Sequence, residues 1–162
     1  MESVQPSRFA DGEAMLLAGL RREHTYAGAV RTIPLQWRDF RAMGSLPGRR
    51  GAVTYGVICG SAPERETFEY MSGMEVAGFD GLPEGVGRMR VPAVRYAVFV
   101  HETGAATLSA KWEAIFNGWL PRSGFVSAET PDFERYDDRF DPETGTGEIE
   151  IWVGVQDGGG AR

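Results

Sequence analysis

The stretch FERYDDRFDPETGTGEIEIWVGV, residues 133–155, has the pattern of two β-strands joined by a turn. Near its end, Glu150 and Trp152 alternate with Ile149 and Ile151. Because successive side chains of a strand point to opposite faces of a sheet, Glu150 and Trp152 share one face and the isoleucines share the other. The intervening DPETGTG has the composition of a turn. The stretch therefore predicts an antiparallel pair of strands with a carboxylate beside an indole.

A strand and a helix precede this pair. AVRYAVFVHET, residues 93–103, is rich in β-forming residues, and Tyr96 and Phe99 within it must face opposite ways. TLSAKWEAIFNGWL, residues 107–120, carries large apolar side chains at helical spacing, and Pro121 is expected to end the helix. These elements extend the prediction to a β-α-β-β order.

The first half of the chain has the same order. AMLLAGLRREHTY, residues 14–26, predicts a strand, and Thr32 is a candidate cap for the helix that follows. AVTYGVICG (52–60) and FEYMSGMEV (68–76) predict the two remaining strands.

The repeated order indicates an internal duplication, with halves at about residues 14–77 and 91–155. We expect an α+β fold, a duplicated β-α-β-β module with a pseudo-twofold axis. Its antiparallel sheet would carry two helices on one face and a ligand cleft on the other. GFDGLPEGVGRMR, residues 78–90, would connect the halves. One domain would span residues 1–162, with disorder possible at 1–10 and 157–162.

The composition limits the classes of function. The chain has 162 residues, 17 basic and 23 acidic, a formal charge of −6 and a pI near 5.0. This charge disfavours nucleic acid as a direct partner. Cys59 is the only cysteine and there are two histidines, so we expect neither a disulfide nor a metal site, and no cofactor. The absence of a signal peptide and of a long apolar run predicts a cytoplasmic protein with no membrane partner.

In the order of its motifs the chain resembles the GyrI-like small-molecule-binding family, the effector-binding domain of AraC-type and MerR-type bacterial transcription regulators. The resemblance rests on YGV (55–57), FEYMSGMEV (68–76), VPAVRYAVFVHET (91–103), KWEAIFNGWLPRSGF (111–125), FERYDDRFDP (133–142) and EIEIWVGV (148–155). It implies an SHS2-like fold whose cleft between the halves binds lipophilic, often cationic compounds. The chain has Gly154 where the family often has Pro. Because 13 residues precede Ala14, we expect a stand-alone member without a DNA-binding domain.

The resemblance also implies the ligand site. Glu150 matches the acidic position on the family's last strand, and Glu75 holds the corresponding position in the first half. A carboxylate and aromatic rings stabilise an organic cation, with cation–π contacts worth about 0.5–2 kcal/mol each. The predicted ligand-binding residues are Glu150, Trp152, Tyr70, Trp112, Tyr55, Tyr96, Phe116 and Glu75.

Three functions remain open from the sequence. The first is a binding protein that senses or sequesters hydrophobic or cationic small molecules. The second is a hydrolase that opens strained cyclopropanoid rings, with Glu150 and Glu75 as candidate catalytic residues, one with a raised pKa. The third is a role in binding a protein partner, such as gyrase modulation. Both a monomer and a homodimer are compatible with the sequence.

Overall fold

The computed structural model describes residues 4–158 and has the expected α+β class, mostly antiparallel sheet with two helical regions. The strands are β1 (Arg8–Asp11), β2 (Met15–Thr25), β3 (Arg49–Ala62), β4 (Thr67–Val76), β5 (Gly87–Val91), β6 (Arg95–His101), β7 (Phe125–Ser127), β8 (Asp132–Tyr136), β9 (Phe140–Asp141), β10 (Thr146–Gly147) and β11 (Ile149–Asp157). The helices are α1 (Ala29–Ala42), α2 (Leu108–Glu113) and α3 (Leu120–Arg122), with a π-helical segment (Ala114–Trp119) between α2 and α3.

The chain divides into two compact units. One is the continuous segment Ala14–Val91, which we call the inner unit. The other, which we call the outer unit, combines the described residues up to Glu13 with those from Pro92 onward. Residues 14–77 lie within the inner unit and residues 92–155 within the outer unit, and the division of one domain into two halves stays a prediction.

Four antiparallel strands form the sheet of the inner unit, in the order β3-β4-β2-β5. Helix α1 covers one face, where Phe40 packs with Ala18, Met74 and Val76 in a buried core. We expected residues 78–90 to be a connection only. Their end is instead strand β5, which pairs with β2 and alternates exposed and partly buried side chains before the buried Val91.

Helix α1 begins earlier than the sequence predicted. Gly28 is its N-cap, and Thr32, the expected cap, lies within the first turn. The Thr32 hydroxyl lies 3.2 Å from the Gly28 carbonyl oxygen and 2.7 Å from His24 Nδ1. The hydroxyl therefore ties the helix to the end of β2 instead of capping it.

The outer unit has the order β8-β11-β6-β1, and β7 pairs with the last residues of β11. Its helical region packs on the face that carries Phe99, whose ring centroid lies 5.1 Å from that of Trp119. Ile151, directly opposite Phe99 on β11, lies on the same face and is fully buried. We call this the helix face and the other the open face of the outer unit's sheet.

Pro121 does not end the second helical region, which continues to Arg122. A proline ring clashes with the carbonyl four residues earlier in a regular α-helix. The wider π-helical turns of Ala114–Trp119 are separated from Pro121 only by Leu120, and they lengthen the spacing between hydrogen-bonded residues. We attribute the continuation of the helix past Pro121 to this widening.

The possible tail at residues 1–10 is structured from Arg8 onward, because β1 pairs with β6. Residues 1–3 and 159–162 lie outside the described part of the chain, so disorder there stays a prediction. At the other end, β11 reaches Asp157. None of the helices in residues 4–158 is long and apolar enough to cross a membrane.

Candidate functional site

Glu150 lies on the open face of the outer unit and is only 3% exposed. Arg8 from β1 donates to both of its oxygens, at 3.0 and 3.4 Å. Arg139 Nη2 lies 3.3 Å from one oxygen and Arg135 Nη1 3.7 Å from the other. The indole N–H of Trp152 also donates to Glu150, at 2.9 Å. Glu150 is thus the centre of an arginine-rich network, and ligand binding by this residue stays a prediction.

The electrostatics of Glu150 differ from those of a general acid. Burial, the largest single influence, favours the neutral form of its carboxyl group, but hydrogen bonds from Arg8, Trp152 and Arg139, together with the charge of Arg8, hold the pKa of Glu150 below its ordinary value. A carboxyl group with a lowered pKa carries no proton near neutral pH. Glu150 therefore lacks the raised pKa of a general acid, and the hydrolase hypothesis, which requires a raised pKa of either Glu150 or Glu75, stays a prediction.

Three aromatic rings pack together on the same open face. Phe133 and Trp152 stack with ring centroids 5.5 Å apart, and Tyr96 meets both edge-on at 5.3 and 5.4 Å. Tyr96 is 2% exposed, whereas Trp152 is half-buried. Tyr96 therefore packs beneath the indole, on the face opposite to that of Phe99, and its participation in ligand binding stays a prediction.

The helix face of the outer unit carries a second buried carboxylate, Glu134 on β8, which is 6% exposed. Trp112 from α2 donates its indole N–H to one oxygen at 2.9 Å, and the Tyr136 hydroxyl donates to the other at 2.7 Å. Phe116 stacks on Trp112 with ring centroids 5.8 Å apart. Both of these donors are uncharged groups. This arrangement is the carboxylate framed by aromatic rings that the sequence led us to expect at Glu150.

The remaining predicted site residues belong to the inner unit. Tyr70 is buried beside α1, and its hydroxyl oxygen accepts a hydrogen bond from Trp37 at 3.2 Å. Tyr55 on β3 is also buried. Glu75 on β4 is half-buried, with Arg50 3.9 Å from its carboxylate. Their participation in ligand binding stays a prediction.

A further titratable group lies at the start of β8. Asp132 accepts a hydrogen bond from the Gly154 backbone N–H at 2.8 Å, and burial raises the pKa of Asp132 to about 7. The buried hydroxyls of Tyr96 and Thr130 have no hydrogen-bond partner among the described atoms. Burial, with the nearby Asp132 charge, raises the pKa of Tyr96 to about 12. This region contains no group of three or more metal-binding side chains, nor does any other part of residues 4–158.

The sequence did not single out three residues of these clusters, namely Glu134, Tyr136 and Arg8. Glu134 and Tyr136 alternate within the quoted FERY segment, and this spacing could have identified a carboxylate and a hydroxyl on one face. Arg8 offered no such signal, because it lies 142 positions from Glu150.

The chain was compared with known proteins. The family model for Cass2, an integron-associated effector binding protein, matches residues 11–155. The transcriptional regulator BrlR of Pseudomonas aeruginosa is 36% identical over 104 residues, which are 64% of the chain and 38% of that protein. A DNA gyrase inhibitor of Erwinia billingiae is 35% identical over 77 residues, 46% of the chain and 49% of that protein. The matched part of the chain spans less than half the length of either relative.

Solved structures share the fold. SAV2435 bound to tetraphenylphosphonium has a TM-score of 0.73 at 17% identity, covering 96% of the chain and 94% of SAV2435. The integron cassette protein VCH_CASS2 from Vibrio cholerae has a TM-score of 0.66 at 17% identity, and the match covers 95% of the chain and 98% of VCH_CASS2. The fold and the family match confirm the resemblance to GyrI-like effector-binding domains. Since the family model covers most of its length, the chain belongs to the Cass2 family of integron-associated effector binding proteins.

Proposed function

We propose that the protein binds hydrophobic, cationic small molecules and that Glu134 supplies the negative charge of the site. The observation that carries this proposal is the buried Glu134 carboxylate, which accepts hydrogen bonds from Trp112 and Tyr136 beside the ring of Phe116. Family membership supports binding of a small effector. The tetraphenylphosphonium bound to SAV2435 is a lipophilic cation, which supports this chemical class.

The physical basis is a charge in a region of low dielectric beside aromatic rings. Coulombic attraction between unit charges grows several-fold when the effective dielectric falls from that of water toward that of a protein interior. The half-buried rings of Trp112 and Phe116 offer polarisable surface on which an organic cation can pack. Burial and one charge, without a dense set of directional hydrogen bonds, accommodate ligands of several shapes.

The test is a titration with tetraphenylphosphonium, followed by tryptophan fluorescence and calorimetry. We expect saturable quenching in the wild type and a roughly tenfold weaker affinity in Glu134→Gln, the loss of about one charge interaction. Triphenylphosphine oxide, which is neutral, should bind more weakly than the cation to the wild type.

The matched control is Glu143→Gln, which makes the same change at an exposed residue of the same unit and should bind like the wild type. Thermal unfolding would establish that Glu134→Gln is folded. Equal affinity of folded Glu134→Gln and wild type for the cation would contradict the proposal, as would equal binding of the neutral compound.

A further inference from the structure

Strand β5 (Gly87–Val91) is an edge strand of the inner unit, and β2 is its only partner strand within residues 4–158. In an antiparallel pair, alternate residues direct their N–H and C=O groups toward the partner strand, and the residues between them direct theirs away. No loop of the described chain makes a backbone hydrogen bond to β5, although the Arg21 side chain donates to the Arg88 carbonyl oxygen at 2.9 Å. The other main-chain groups on the free side of β5 can therefore pair with a further strand.

Two arginines stand on one face of this edge strand. Arg88 and Arg90 are two residues apart in β5, so their side chains lie on the same side of the sheet. Both residues are exposed, and their guanidinium carbons lie 5.7 and 5.2 Å from the ring centroid of Phe79. Contact with the same ring limits the conformations of both side chains. The edge thus presents two positive charges in a fixed place.

Neither of these charges has a counter-charge. Within residues 4–158, no carboxylate oxygen lies within 4.0 Å of the Arg88 or the Arg90 guanidinium group. The chain has 23 acidic residues against 17 basic ones, so a shortage of carboxylates does not explain this. Both guanidinium groups remain able to form forked hydrogen bonds with the carboxylates of another molecule.

Charge determines which kind of strand can pair with this edge. Like charges directly opposite each other in an antiparallel pair are destabilising, and opposite charges are stabilising. Strand β5 of a second copy, paired about Met89, would place Arg88 opposite Arg90 and is disfavoured for this reason. A strand with carboxylates at two alternate positions would place both of them opposite the arginines, on the same face.

We propose that β5 is a docking edge for an acidic, extended segment of a partner protein, which adds to the sheet as a strand and places two alternate carboxylates on Arg88 and Arg90. Main-chain hydrogen bonds supply affinity in this mode of recognition, and alternate side chains supply specificity. The inference does not rest on the proposed function of Glu134, because β5 belongs to the inner unit and Glu134 to the outer unit.

The test is a fluorescence anisotropy titration of the labelled peptide TVEVEVT, which carries glutamates at two alternate positions, with the full chain. We expect saturable binding by the wild type, and at least roughly tenfold weaker binding of TVKVKVT, in which lysines replace the glutamates. In Arg88→Glu/Arg90→Glu the preference should reverse, so that TVKVKVT binds more tightly than TVEVEVT. TVEPEVT keeps both glutamates but has a proline within the strand, and should also bind at least roughly tenfold more weakly than TVEVEVT.

Two further variants complete the design. Arg31→Glu/Arg41→Glu makes the same change of charge at two exposed positions of the inner unit and should bind TVEVEVT like the wild type. Arg88→Gln/Arg90→Gln replaces the charge reversal if that variant does not fold, and should lose the preference for TVEVEVT over TVKVKVT.

Amide hydrogen exchange locates the bound peptide, and we expect TVEVEVT to slow exchange within Gly87–Val91. The proposal is overturned if TVEVEVT does not bind, or if it binds the Arg88/Arg90 variants as tightly as the wild type. Equal affinity for TVEPEVT would mean that the arginines attract an acidic molecule without strand pairing, and slowed exchange confined to another strand would place the peptide elsewhere. Both results would also overturn the proposal.

Discussion

Two buried glutamates lie on opposite faces of one short sheet and differ in the groups that donate hydrogen bonds to them. Guanidinium groups surround Glu150, whereas an indole and a phenol hold Glu134. A hydrogen bond from a charged donor is stronger than one from a neutral donor and offsets more of the cost of burying a carboxylate. The residue type alone therefore does not determine which of the two attracts a cationic ligand.

The side chain of Asp132 makes the stability of the folded protein depend on pH. Its pKa is about 7 in the folded protein against 3.8 ordinarily, so between these values the folded state holds a proton that the unfolded chain has lost. This group's contribution to stability therefore falls as pH rises to about 7 and is constant above. Asp132→Asn keeps an acceptor for Gly154 and removes the titration. We expect the free energy of unfolding of the variant, relative to that of the wild type, to rise by about 2 kcal/mol when the pH is raised from 5.5 to 8. Denaturant unfolding at both pH values measures this change.

Asp138→Asn, at an exposed position, is the control and should follow the wild type at both pH values. If Asp132→Asn and wild type differ by the same free energy at pH 5.5 and pH 8, Asp132 does not titrate in this range.

The alternation of side chains made part of the site predictable at the residue scale. It placed Glu150 and Trp152 on one face, and Tyr96 and Phe99 on opposite faces, as the register of β6 and β11 shows. Periodicity carries no information on contacts between distant segments. The pairing of Glu150 with Arg8 could not be predicted for this reason, and it changes the interpretation of Glu150.

At the scale of elements, a row of three glycines crosses the inner unit's sheet. Gly19 on β2 lies opposite Gly73 on β4 and Gly87 on β5. A Cβ atom at Gly19 would overlap the Ser72 carbonyl oxygen, a backbone atom that cannot move without breaking the strand pairing. Because glycine has no Cβ atom, the backbones of β2 and β4 approach each other at Gly19 more closely than any other residue would allow.

We expect Gly19→Ala to destabilise the protein by about 3 kcal/mol or more, because the overlap is with backbone. Gly60→Ala is the matched control, since nothing lies within 4 Å of its added Cβ, and it should change stability little. Thermal unfolding of both variants measures the difference. A Gly19→Ala protein as stable as Gly60→Ala would show that the strands can separate at this row.

The order and type of the longer elements were predictable, whereas short edge strands and helix ends were not. The β-α-β-β order follows from alternation and helical spacing over many residues. Strands β1 and β7 have four and three residues, too few for a periodic signal. The continuation past Pro121 depends on the π-helical segment, which local propensity does not encode.

For the whole molecule, the duplication is more complete than the sequence indicated. The orders β3-β4-β2-β5 and β8-β11-β6-β1 correspond strand for strand. In both units a histidine at the end of the first repeat strand contacts a threonine near the helix start, His24 with Thr32 and His101 with Thr107. The edge strands β1 and β5 were the part that repetition of sequence did not reveal.

The net charge belongs to this scale as well. With 17 basic and 23 acidic residues, the 162-residue chain should not bind duplex DNA, because it offers few cations to replace condensed counterions. Fluorescence anisotropy of a labelled duplex at physiological salt is the measurement, with a basic DNA-binding protein as positive control. Salt-dependent binding by this chain would contradict the expectation.

The pairing of β1 with β6 also has a consequence for protein synthesis. All strand pairings of the inner unit lie within Ala14–Val91, so they can form as soon as that segment has left the ribosome. Arg8 is made 142 residues before Glu150, a delay of roughly 7 to 30 s at common translation rates. During this interval the Arg8 guanidinium has no Glu150 carboxylate with which to pair. The outer unit is therefore completed after the inner unit, although one of its segments precedes the inner unit in the chain.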